Sequence, residues 1–121
     1  MEDLISILSL YNYNKKYPCS SNIESSKFSL LMFLIVQKKL QNKYDIVKTY
    51  LKSNSEDINH KNDKEWTALM LAARRSNLES NPETVKLLLD ARADINIQEE
   101  EGYTALMLAA RYSNTDSNAE T

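Results

Sequence analysis

Few side chains in this sequence could do chemistry, and their spacing limits what they could do. His60 could serve as a base, Cys19 as a nucleophile, and Glu99-Glu100-Glu101 could hold a cation. Catalysis needs such groups in sets, a nucleophile beside a base and a base beside the group that orients it. Here the single cysteine and the single histidine have no companions at ligand spacing, which excludes a zinc set and an intramolecular disulfide. With Gly102 as its one glycine, the chain has no Gly-rich loop to cradle a phosphate. These groups therefore read as loop residues: His60 as exposed and unpartnered, Cys19 as an inert loop or cap residue, the glutamates as a solvated run. The expectation is a chain that is not an enzyme and takes no cofactor, metal or small-molecule substrate.

A second set of residues points to recognition instead. Trp66 and Tyr103 each stand immediately before the same octapeptide, TALMLAAR, at Thr67–Arg74 and Thr104–Arg111. Aromatic and arginine side chains are the usual anchors of protein interfaces. Trp66 and Tyr103 could anchor a partner, or could pack one loop against its neighbour. Both readings fit the sequence.

What positions these residues is a repeat. Between Trp66–Thr84 and Tyr103–Thr121, fourteen of nineteen positions are identical at an offset of 37. Asp57-Ile58-Asn59 matches Asp94-Ile95-Asn96 at the same offset, and a blurred copy beginning at Phe28 matches Trp66 at an offset of 38. In the middle copy Thr67 can cap a helix over Ala68–Arg75, whose Leu69, Ala72 and Ala73 share one face. Ser76–Asn81 is expected to break it. Pro82 then suits the first turn of a second helix with Val85, Leu88 and Leu89 on its apolar face. A polar, extended stretch from Arg92 to Tyr103 leads to the next threonine cap. Helices are thus expected near Phe28–Gln37, Asp45–Lys52, Ala68–Arg75, Pro82–Asp90 and Ala105–Tyr112. Such a pair cannot bury both apolar faces alone, so copies must stack.

The pattern "GYTALMLAAR…ETVKLLLDARADIN" resembles the ankyrin repeat, over about Phe28–Thr121. The family's Thr-Pro-Leu-His is Thr-Ala-Leu-Met here, its inter-helix Gly is replaced by the Ser76-Asn77 region, and the Gly of its finger loop is Glu65 in the middle copy. The style is similar to ankyrin repeat proteins of large DNA viruses of protists. The resemblance implies an all-α helix-turn-helix solenoid with finger loops, about two and a half repeats plus an N-terminal helix. The expected divisions are 1–26, an N-terminal helix and loop that cap the stack; 27–56, a degenerate repeat; 57–93, a full repeat; and 94–121, an incomplete one. It also implies a protein-protein interaction module using the concave surface. Carried onto this chain, the partner-binding positions are Lys61, Asp63, Lys64, Trp66, Arg74 and Arg75 in the middle copy, and Gln98, Glu100, Glu101, Tyr103, Arg111 and Tyr112 in the last.

Other readings stay open on the sequence. An adaptor feeding proteins to a ubiquitin ligase would need an F-box-like segment, and a gene remnant would need no function. Leu4, Ile7, Leu8 and Tyr11 share a helical face that suits a cap or a separate targeting helix, followed by a loop over Asn12–Ser26. A net charge of −2 gives no general pull toward nucleic acid or anionic membrane. The longest apolar run, Leu30–Val36, is far short of the ~20 residues that span a bilayer. With acid rather than base after Met1, the chain reads as cytoplasmic, or host-cytoplasmic if viral, with another protein as its partner. The last repeat stops before its second helix, so Glu101–Thr121 is expected to fray and the chain to associate.

Overall fold

The structure, a computed structural model, describes residues 4–20, 23–38, 40–79 and 82–112, with the backbone alone at 76–79, 82 and 112. Its helices are α1 (Leu4–Leu8), α2 (Leu30–Ile35), α3 (Lys43–Ser53), α4 (Ala68–Glu79), α5 (Pro82–Asp90) and α6 (Ala105–Tyr112). A 3₁₀ turn covers Ser55–Asp57.

The first helices of the three copies start identically. Ser29 Oγ accepts from the Met32 N–H at 3.2 Å, Thr67 Oγ1 from Met70 at 3.3 Å and Thr104 Oγ1 from Met107 at 3.3 Å. Each hydroxyl satisfies one of the donors a helix start leaves orphaned. These helices stack in a row, α2 on α4 and α4 on α6, while α3 on α5 forms a second row behind them. The core runs between the rows, with Phe28, Leu31, Met32, Val47, Leu71 and Leu88 fully buried. In α2, Leu34 and Ile35 occupy the places of Ala72 and Ala73, and all four are buried. The buried Lys43 Nζ donates to the Ile35 carbonyl at 2.7 Å, placing a cation at the end of α2.

Several sequence expectations change. α4 does not break at Ser76 but continues to Glu79, because nothing between Ser76 and Glu79 is a Gly or Pro. Pro82, which disfavours helix at the residue before it, opens α5. α2 is shorter than Phe28–Gln37, since Ser29 caps its start and Val36 already closes onto the Met32 carbonyl. The stretch Asn12–Ser26 contains a short antiparallel ribbon, β1 (Tyr17–Pro18) with β2 (Glu24–Ser25), pairing Tyr17 with Ser25. This N-terminal segment lies on the first copy: Tyr17 packs on Phe28 and Phe33 with centroids 5.5 and 5.1 Å apart, and the Tyr11 hydroxyl donates to the Phe28 carbonyl at 2.7 Å. On α1, Ile7 is buried, Leu4 half-buried and Leu8 faces out, and Tyr11, just beyond the helix, is half-buried. Among the described residues no helix is long and apolar enough to cross a membrane.

Candidate protein-binding surface

The loops that precede α4 and α6 are built by one device written twice. In the middle copy Asn62 is buried, and its Oδ1 accepts from the Lys64 and Trp66 amides at 3.0 and 2.9 Å. In the last copy the buried Glu99, 37 residues on, accepts at Oε1 from the Glu101 and Tyr103 amides at 2.7 and 3.0 Å. The backbone closes both fingers the same way, Asn62 N–H to the Trp66 carbonyl and Glu99 N–H to the Tyr103 carbonyl, each at 2.9 Å. A tight finger leaves interior amides that a short side-chain acceptor must satisfy. Sequence reasoning missed both residues and treated Glu99 as part of a solvated run. The findable signal was a polar acceptor four residues before each aromatic, at the repeat offset.

The finger's tight corner needs a left-handed residue. Lys27, Glu65 and Gly102 occupy it, at φ 65°, 65° and 91°. These are equivalent positions of the three copies, so the blurred first copy turns its finger as the others do. The fingers are also tied together in register. Asp63 N–H donates to the Ser26 carbonyl at 3.0 Å, and Glu100 N–H repeats this on the Lys64 carbonyl at 3.2 Å. Lys64 N–H also reaches Ser25 Oγ at 3.1 Å. Across the two fingers Lys64 Nζ lies 3.4 Å from Glu100, an ion pair nearly half exposed on each side and worth about 0–1 kcal/mol.

The residues expected to bind a partner separate into two groups. Lys61, Asp63, Gln98, Glu100 and Glu101 are exposed along this finger ridge, with Lys64 half-buried among them. Gln98 Nε2 donates to the Gly102 carbonyl at 3.0 Å. Tyr103 is half-buried, and its ring and hydroxyl hold the exposed Arg111, with the guanidinium 5.3 Å from the ring centroid and Nη1 2.9 Å from the oxygen. Trp66, Arg74 and Arg75 do not belong to any accessible surface. They are only 1%, 4% and 5% exposed. Trp66 and Arg74, the equivalents of the half-buried Tyr103 and the exposed Arg111, are thus core in the middle of the row. The side chain of Tyr112 lies outside the described residues.

The lone reactive groups are structural as well. Cys19 is fully buried and accepts from Asn62 Nδ2 at 3.3 Å, joining the N-terminal segment to the second finger. Burial pushes its thiol up to about 11, while the Asn62 hydrogen bond and the Arg75 and Lys64 charges pull the other way. A thiol so placed is a poor nucleophile at neutral pH. His60 is not an unpartnered exposed residue: its Nε2 sits 2.9 Å from the Lys27 carbonyl and its ring 5.9 Å from that of Tyr13. Burial and the hydrogen bond to Asp57 raise the Tyr50 phenol above its ordinary range. Among the described residues no three His, Cys, Asp or Glu side chains gather at metal-binding spacing. What the arrangement offers is a ridge of stacked, hydrogen-bonded loops with polar side chains outward.

Comparison with known proteins agrees with this geometry. The family model for ankyrin repeats (3 copies) matches residues 31–118. Two proteins of Acanthamoeba polyphaga mimivirus named as ankyrin repeat proteins, L86 and L91, are 41% identical over 82 residues and 43% identical over 86 residues. Those matches cover 68% and 66% of this chain but 14% and 13% of the relatives, so the chain spans about one seventh of their length. Among solved structures, a chain in the complex of the predatory endopeptidase Bd0816 of Bdellovibrio bacteriovorus with the immunity protein Bd3460 superposes with a TM-score of 0.60 at 25% identity. That match covers 93% of this chain and 51% of the other.

Proposed function

Because the chain belongs to the ankyrin repeat family, a general protein-protein interaction fold, we propose that it is a non-enzymatic binding module whose contacts come from the finger ridge. The observation that carries this reading is the ladder that joins Ser26 to Asp63 and Lys64 to Glu100 through backbone hydrogen bonds. A partner meeting loops already held in register loses less entropy on binding than one that must order them. Lys61, Asp63, Gln98 and Glu101 are the contact residues on this reading, with Tyr103 and Arg111 as one rigid unit at the ridge's end. Residues 1–26 act as the cap of the first repeat, supported by the packing of Tyr11 and Tyr17 on its aromatic core. The partner is another protein, met in the cytoplasm.

The test compares three immobilised proteins against one cell lysate by quantitative mass spectrometry: the parent, a ridge variant (Lys61→Ala, Asp63→Ala, Glu101→Ala), and a control on α3 (Tyr44→Ala, Lys48→Ala). Proteins retained by parent and control but lost from the ridge variant support the reading. Retention by the ridge variant equal to that of the parent overturns it.

A further inference from the structure

The N-terminal loop and the first two fingers join at one corner of the ridge, and lysines gather there. Lys27, in the left-handed turn at φ 65°, donates its N–H to the Tyr13 carbonyl at 2.8 Å. Its own carbonyl lies 2.9 Å from His60 Nε2, and the Tyr13 and His60 rings are 5.9 Å apart. These contacts hold the backbone of Lys27 and leave its side chain exposed, beside a Tyr13 that is 42% exposed. Lys61 follows His60, and Lys15 and Lys16 lie in the loop after Tyr13, all three exposed. The stretches 12–20, 23–28 and 58–62, which build this corner, hold four lysines against one acid, Glu24. Among the described residues no carboxylate pairs with any of the four. Asp57, just before the last of these stretches, is taken by the Tyr50 hydroxyl.

Past this corner the ridge changes sign. Asp63, Glu65, Glu100 and Glu101 are exposed on the second and third fingers, and the lysine among them, Lys64, is paired with Glu100. Like charges that the fold holds together favour a partner of the opposite sign. A nucleic acid carries phosphates along its whole length, so a strand following the ridge would run onto these four carboxylates. A peptide can carry acid at one end and base at the other. Building on the reading of the ridge as the binding surface, we propose that the partner protein presents an extended segment of mixed charge. Its acidic residues lie on Lys27, Lys61 and Tyr13, and its basic residues on Glu100 and Glu101.

Fluorescence anisotropy tests this with a labelled peptide of glutamates followed by lysines, against the same peptide with glutamine in place of glutamate. The parent is expected to bind the first and not the second, and more weakly as salt rises. Lys27→Glu with Lys61→Glu should lower the affinity at least about ten-fold. Glu65 already fills the corner equivalent to Lys27, so glutamate suits that backbone. Lys48→Glu with Lys86→Glu makes the same charge change at exposed positions of α3 and α5, and should bind like the parent. Circular dichroism checks the helix content of each variant. If the corner pair loses helix, Lys15→Glu with Lys16→Glu, in the exposed loop, is measured in its place. No binding by the parent, an equal affinity in the two lysine pairs, or tighter binding of a single-stranded DNA probe overturns the inference. The ridge reading stands or falls separately, on whether lysate proteins survive Lys61→Ala, Asp63→Ala, Glu101→Ala.

Discussion

α4 and α6 begin with the same seven residues, ALMLAAR, behind the same threonine cap, yet they end up in different surroundings. Leu69 is 4% exposed while its counterpart Leu106 is 78% exposed. Met70 is buried and Met107 half exposed, and Arg74 is buried where Arg111 lies on the surface. The local sequence determines that both are helices. The neighbour on the far side determines which side chains become core. In a stacked fold burial is a property of position in the row, so one sequence serves as interior in one copy and as surface in the next.

The largest test of that contrast is at the aromatic before each cap. Trp66→Ala should cost about 3–5 kcal/mol in urea denaturation, because it empties a fully buried site. Tyr103→Ala, at a half-buried site, should cost less than half as much. Equal costs would mean that both copies are packed alike.

The leucine pair sharpens the comparison with the sequence held constant. Leu69→Ala is expected to lose about 2–5 kcal/mol, and Leu106→Ala within about 0.5 kcal/mol, by the same denaturation at a concentration where the chain is monomeric. A Leu106→Ala loss approaching that of Leu69→Ala would place α6 in a packed environment.

A pH titration reads the contact between the N-terminal segment and the second finger. The buried Cys19 thiol is raised from 9.0 to about 11, so the folded state holds its proton more tightly than the unfolded one. That contribution is fully present below pH 9 and is lost as pH rises toward 11, a loss of about 2–3 kcal/mol over the window. Cys19→Ala should flatten the fall in stability between pH 9 and 10, before Tyr50 adds its own. An unchanged slope would mean that the thiol is not buried against Asn62.

The smallest expected effect lies at the finger corner. Glu65 and Gly102 share the left-handed conformation, and a non-glycine residue there costs about 1 kcal/mol. Glu65→Gly should therefore raise the melting temperature by a few degrees, while Gly102→Glu should lower it by a similar amount. A melting temperature that falls on Glu65→Gly would show that the Glu65 side chain itself holds the finger.

The helices were legible because their determinants are local. Thr67 and Thr104 sit at caps, Leu69, Ala72 and Ala73 share a face, and Pro82 opens α5, and each of these is read within one repeat. Residues whose state depends on the next repeat were not legible in the same way. Trp66, Arg74 and Arg75 look like surface anchors within a single helix-turn-helix unit, and they are buried in the folded chain. Asn62 and Glu99 were hidden for another reason. One is an amide and the other a carboxylate, so identity matching passes over them, although each offers an oxygen to the same two amides. The ribbon of Tyr17–Pro18 and Glu24–Ser25 is too short to show the alternation that marks a strand. His60 found its partner in a backbone carbonyl, which no motif records.

Hydrogen exchange on the two copies of ALMLAAR tests the central contrast most directly. Identical sequences give nearly identical intrinsic exchange rates, so any difference in protection comes from packing alone. The amides of Leu71–Arg74, in the interior of the row, should exchange at least about ten-fold more slowly than those of Leu108–Arg111, a gap of about 1.4 kcal/mol in local opening. Equal protection in the two segments would contradict the claim that position in the row, rather than sequence, decides what is core.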